Sequence, residues 1–87
     1  VVLCPPAVYL ETVGAAIAGS WVLLGAQDCS EHPPGAYTGE VAAEMLTDCG
    51  ASHVIIGHSE RRQMFGDTDT RVVAKLKAAR AQGLTPI

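Results

Sequence analysis

Short apolar runs alternate along the chain with stretches whose apolar residues recur at helical spacing. Val1-Val2-Leu3-Cys4 is rich in β-branched residues and predicts a strand. Pro5-Pro6 ends it and suits the first turn of a following helix. Leu10, Val13, Gly14 and Ile17 fall at i, i+3, i+4 and i+7, the spacing of one buried helix face, and Gly19 is placed to stop that helix. Trp21-Val22-Leu23-Leu24-Gly25-Ala26 predicts a second strand, apolar on both faces as a buried parallel strand should be. Residues 27–39 form a loop rich in Pro, Gly and Ser. It is long for a strand-to-helix connection, and such loops often carry function.

Val41, Ala42, Met45, Leu46 and Cys49 make the next helical stripe, with Glu40 near its start and Gly50 at its end. Val54-Ile55-Ile56-Gly57 predicts a third strand. Ser59 is placed to cap a short helical turn through Gln63. Gly66-Asp67-Thr68-Asp69 punctuates. Residues 68–82 predict a longer helix with Val72, Val73, Leu76, Ala79 and Arg80 on its apolar side. Leu84 opens a fourth strand, where Pro86 must sit near the start or on an edge because it has no N–H to donate. The predicted order is β-α-β-α-β-α-β, an α/β chain built on a parallel sheet. A doubly wound sheet and an arc of a (β/α)8 barrel both fit this pattern, which does not choose between them.

Composition narrows the function. Nine acidic and six basic residues give a formal net charge of -3, which argues against nucleic acid as a partner. Arg71, Lys75, Lys77 and Arg80 recur at helical spacing and read as a solvated helix face. Cys4, Cys29 and Cys49 are odd in number and widely spaced, so neither a disulfide framework nor a zinc ribbon is expected. Reduced thiols of a cytoplasmic protein fit best. No apolar run approaches the ~18 residues of a membrane span. Both ends lie abruptly inside apolar runs, so residues 1–87 read as a fragment of a single domain.

Several catalytic signatures fail. There is no G-x-G-x-x-G and no Walker sequence, so no dinucleotide cofactor is expected. Gly57-His58-Ser59-Glu60-Arg61 has a serine at the offset of a nucleophile elbow, but Arg61 stands where the second glycine is needed. His32, His53 and His58 lack zincin spacing, and no metal is expected.

His58 is the candidate that remains. It follows a buried strand and precedes a helix start, the end of the sheet where parallel α/β enzymes place their active sites. A helix N-terminus disfavours an imidazolium. A neutral imidazole can donate a hydrogen bond to a carbonyl oxygen and stabilise an enediolate-like anion. Position alone favours a residue that merely ends a strand.

The surrounding residues carry more. Val54 through Arg62 closely resembles the segment around the electrophilic histidine of triosephosphate isomerases. Gly25-Ala26-Gln27-Asp28, followed by Gly35-Ala36-Tyr37-Thr38-Gly39-Glu40, resembles that family's third strand and dimer-interface loop. Gly83-Leu84-Thr85-Pro86-Ile87 resembles the start of its fifth strand. The resemblance covers essentially the whole chain and implies part of a (β/α)8 TIM barrel. It implies interconversion of dihydroxyacetone phosphate and glyceraldehyde 3-phosphate, with His58 polarising the carbonyl. Glu60 resembles the acid that supports the site's lysine, and Ser59 the residue that touches the catalytic base. Thr38 resembles the loop tip that enters the partner subunit of a homodimer. Glu40 and Arg61 resemble an ion pair across that interface, and Gln27 a packing and interface residue. The family's substrate-binding asparagine and lysine, its glutamate base and its phosphate-binding glycine loops match nothing in residues 1–87.

Overall fold

The computed structural model describes residues 1–87. Four strands, β1 (Val2–Leu3), β2 (Leu23–Ala26), β3 (His53–Val54) and β4 (Thr85–Pro86), form a parallel sheet in the order β1-β2-β3-β4. A 3-10 turn at Ala7–Tyr9 leads into α1 (Leu10–Ile17). Then come α2 (Ala43–Asp48), α3 (Ser59–Met64) and α4 (Asp69–Ala81). The register pairs Val2 with Leu23, Gly25 with His53, and His53 with Thr85. A doubly wound sheet reverses its strand order at a switch point. Here consecutive strands are neighbours throughout, as in an arc of a (β/α)8 barrel. No helix is long and apolar enough to cross a membrane.

The core lies where the helices pack on the sheet. Leu24 and Ala26 of β2, Val54 of β3 and the following Ile56 meet Leu10 of α1, Ala43 and Leu46 of α2, and Ala79 of α4. Val13 and Ile17 of the α1 stripe pack against this cluster as their spacing predicts. β2 is buried on both faces from Leu24 to Ala26, as its composition suggested, but its first residue, Leu23, is open. Trp21 lies outside the ladder and is 97% exposed.

Other departures have local causes. Ladder geometry in the third strand ends at Val54, although the Ile55 N–H still donates to Ala26 O at 2.8 Å. Gly57 then takes a φ of 73°, which turns the chain out of the sheet. A Cβ there would lie 3.2 Å from Val72 Cγ1, so Gly57 also admits α4. The second helix begins at Ala43, which leaves Glu40 in the loop and Glu44 in the first turn. The largest departure is Lys75. It is no part of a solvated face but is only 4% exposed. Its spacing from Val72, Leu76 and Ala79 places it within the buried stripe, and two carboxylates receive its amine. Val73, expected on the apolar side, is half exposed.

Gly25 is fixed by a close approach. A Cβ there would lie 2.6 Å from Cys4 Sγ and 2.9 Å from Val2 Cγ1. Gly25→Ala is expected to destabilise the folded protein by about 1–3 kcal/mol, the usual cost of overpacking. Cys4→Ala in the same chain should recover part of that loss. Urea denaturation of the two single variants and the double variant checks this, and strictly additive losses would contradict it.

Candidate active site

The strand-to-helix loops at the C-terminal ends of β1, β2 and β3 enclose a cleft of about 520 Å³. Cys4 and Pro6 line it after β1, Gln27 and Asp28 after β2, and Ile55, His58, Glu60 and Arg61 after β3. His58 stands at the mouth of α3 with a ψ of 143°, and its Nδ1 accepts a hydrogen bond from the Glu60 N–H at 3.1 Å. The residue that caps α3 is therefore His58. Ser59, expected in that role, is the first residue of the helix. An Nδ1 that accepts carries no proton, so Nε2 is the donating nitrogen of the neutral ring. A Glu60 carboxylate oxygen lies 3.9 Å from Nδ1, too far for a hydrogen bond. The Glu60 side chain is otherwise largely exposed.

The sequence-derived residues divide between the cleft and its surroundings. His58, Glu60, Arg61, Gln27 and Glu40 all line the cleft, whereas Ser59 and Thr38 do not. Gln27 Nε2 donates to Cys4 O at 3.0 Å, which ties the ends of β1 and β2 together. Thr38 is exposed on the loop between β2 and α2. In that loop His32 and Tyr37 stack with ring centroids 4.1 Å apart and planes 3° from parallel. The Glu40 N–H donates to Tyr37 O at 2.9 Å.

A charge cluster that sequence reasoning missed runs from the cleft wall, where Asp28 and Arg61 lie, back to the buried Lys75 and Asp67. Lys75 Nζ donates to Asp28 Oδ1 at 3.0 Å and to Asp67 Oδ2 at 2.8 Å. Arg61 Nε lies 3.1 Å from both Asp28 Oδ2 and Asp67 Oδ2, and its guanidinium sits 4.7 Å from the centre of the Phe65 ring. Asp67 Oδ1 is buried without a hydrogen-bond partner. Burial pushes the Asp67 carboxyl up, but the hydrogen bonds and charges of Lys75 and Arg61 outweigh it and hold the group below its ordinary value. Burial likewise pulls Lys75 down, and its bonds to Asp67 and Asp28 with their negative charges leave it raised. The adjacent Cys29 thiol is pushed up to about 11 by burial and by the Asp28 charge, despite the opposing charge of Lys75. Two signals pointed here: a lysine inside an apolar stripe, and an acid in a turn that a long helix covers. No group of three or more His, Cys, Asp or Glu side chains could hold a metal ion.

The family model for triosephosphate isomerase matches residues 1–87, every residue of the chain. The chain belongs to the triosephosphate isomerase family. Triosephosphate isomerase from Shewanella sp. (strain ANA-3) is 55% identical over 94 aligned residues, which take in 100% of this chain and 36% of the relative. The same enzyme from Shewanella baltica (strain OS155) is 54% identical over the same extent. The crystal structure of triosephosphate isomerase from Bartonella henselae superposes with a TM-score of 0.94 at 45% identity, covering 98% of this chain and 36% of that one. The chain thus spans about a third of the length of the triosephosphate isomerases it matches.

The cluster sets a pH dependence for this member of the triosephosphate isomerase family. Asp67 is lowered, so its share of stability is present above its ordinary value of 3.8 and lost as pH falls through the lower value it has in the fold. Lys75 is raised, so its share is full below 10.5 and lost as pH rises through its higher folded value. Chemical denaturation of the protein across that range should give a flat centre and two falling limbs. Asp67→Asn should flatten the acid limb. An acid limb unchanged in that variant would contradict the assignment.

Proposed function

We propose that residues 1–87 supply the electrophilic part of an active site that interconverts dihydroxyacetone phosphate and glyceraldehyde 3-phosphate. The observation that carries this reading is the hydrogen bond from the Glu60 N–H to His58 Nδ1, which leaves Nε2–H as a donor at the cleft. In the reaction a base removes a carbon-bound proton next to the carbonyl, and the carbonyl oxygen takes up the negative charge. His58 Nε2–H donates to that oxygen and then moves a proton between the two oxygens of the enediolate. Return of a proton to the neighbouring carbon completes the exchange. A preorganised Nε2–H aimed at that oxygen stabilises the charge as it develops. Glu60 is proposed to support a cationic group on the substrate side of the cleft, and Ser59 to touch the base. The base and the phosphate grip come from outside residues 1–87.

The same reading makes the full protein a cytoplasmic homodimer joined through the loop that carries Thr38. The stacked His32 and Tyr37 rings support it, since they shape that loop before any partner arrives. Gln27 packs near this interface, and Glu40 and Arg61 pair across it in the proposal.

His58→Gln in the full-length protein is expected to lower turnover by about 10²–10⁴, the span of a lost proton-transfer group. A coupled dehydrogenase assay reads this directly, and wild-type turnover in the variant would remove His58 from the mechanism. A purified chain of residues 1–87 should show no isomerisation above background, because the base is absent.

A further inference from the structure

We propose that Lys75 is a positioning residue for His58, acting through Arg61 from a place outside the cleft. The inference rests on reading His58 as the site's electrophile. Helix α3 runs only from Ser59 to Met64 and is too short to hold its own place. Its first turn must nevertheless hold the Glu60 N–H against His58 Nδ1. Two arginines of α3 could anchor it. Arg62 donates to Gly57 O at 3.0 Å and to Asp69 Oδ1 at 2.7 Å, but the Asp69 side chain is 93% exposed, and such pairs hold weakly. Arg61 is the firmer anchor. Its Nε meets Asp28 beside the end of β2 and Asp67 beyond the end of α3. The Asp67 N–H also donates to Arg61 O at 3.2 Å, which closes the turn on its own helix.

Lys75 makes this anchor single-valued. Its amine bonds one oxygen of each carboxylate and so fixes the gap into which Arg61 fits. The four charges sum to zero. Asp67 Oδ2 takes both cations, so Lys75 Nζ and Arg61 Nε are held side by side on one carboxylate oxygen. Without the Lys75 charge, two carboxylates compete for one guanidinium, and α3 can settle toward either. Apolar replacements for a buried ionic cluster are often as stable as the cluster itself. Stability alone therefore does not account for a lysine in this stripe, whereas fixing α3 does.

The test uses the full-length enzyme carrying Lys75→Met, Lys75→Arg and Asp67→Asn. In Lys75→Met, kcat should fall about 10- to 100-fold, as misplacement of a catalytic group does, while KM moves within about twofold. The ring ¹⁵N signals of His58, separate in the wild type because only Nδ1 accepts, should move toward each other. Lys75→Arg should restore much of both. Asp67→Asn keeps the side-chain shape and should displace both readouts in the same direction, so it decides the matter if Lys75→Met does not fold. Unchanged kcat and unchanged ring signals in a folded variant overturn the inference. A lowered melting temperature with unmoved ring signals also overturns it, since that is a structural role only. Wild-type turnover and its loss in His58→Gln judge the underlying reading separately, and the ring signals speak to Lys75 whatever that outcome.

Discussion

Parallel strands hydrogen-bonded in chain order leave little freedom in where function can go. Each of β1, β2 and β3 must exit at the same end of the sheet, and its helix must return along one face. Cys4, Gln27 and His58 are far apart in sequence, yet they meet at one cleft because each follows a different strand by a few residues. The helix face holds the core, so the exits are free to be polar. The charged and hydrogen-bonding groups of the site therefore gather where the sheet has finished burying apolar surface.

Much of this order was legible in the sequence. Strand positions followed from β-branched apolar runs, and the α1 stripe followed from its 3.6-residue period. What the pattern could not do was rank the two parallel architectures, because both use the same local elements. That choice is a property of which strands pair, and pairing is non-local. The resemblance around His58 supplied it from sequence, and the strand order supplies it from the structure.

The misread residues share a cause. Lys75 was assigned to water because lysines on helices usually face it, and Asp67, correctly placed in the connection before α4, was given no partner. Each inference treats a charge as solitary. Lys75 and Asp67 are buried against the partly exposed Asp28 and Arg61, and the four satisfy most of one another's demands. Ser59 was misread differently. Serine is a better generic cap than histidine, but the ψ of 143° at His58 starts the helix one residue earlier. In that conformation the imidazole caps the helix at the edge of the cleft, so one hydrogen bond links the fold to the candidate site.

The same cluster has an effect on its neighbour. With its thiol held at about 11, Cys29 is almost entirely un-ionised in a neutral medium. Thiolate, not thiol, attacks electrophiles and peroxides. Cys29 is also only 2% exposed, so burial and a raised thiol both shield it, while the more open Cys4 and Cys49 offer alkylating probes easier access.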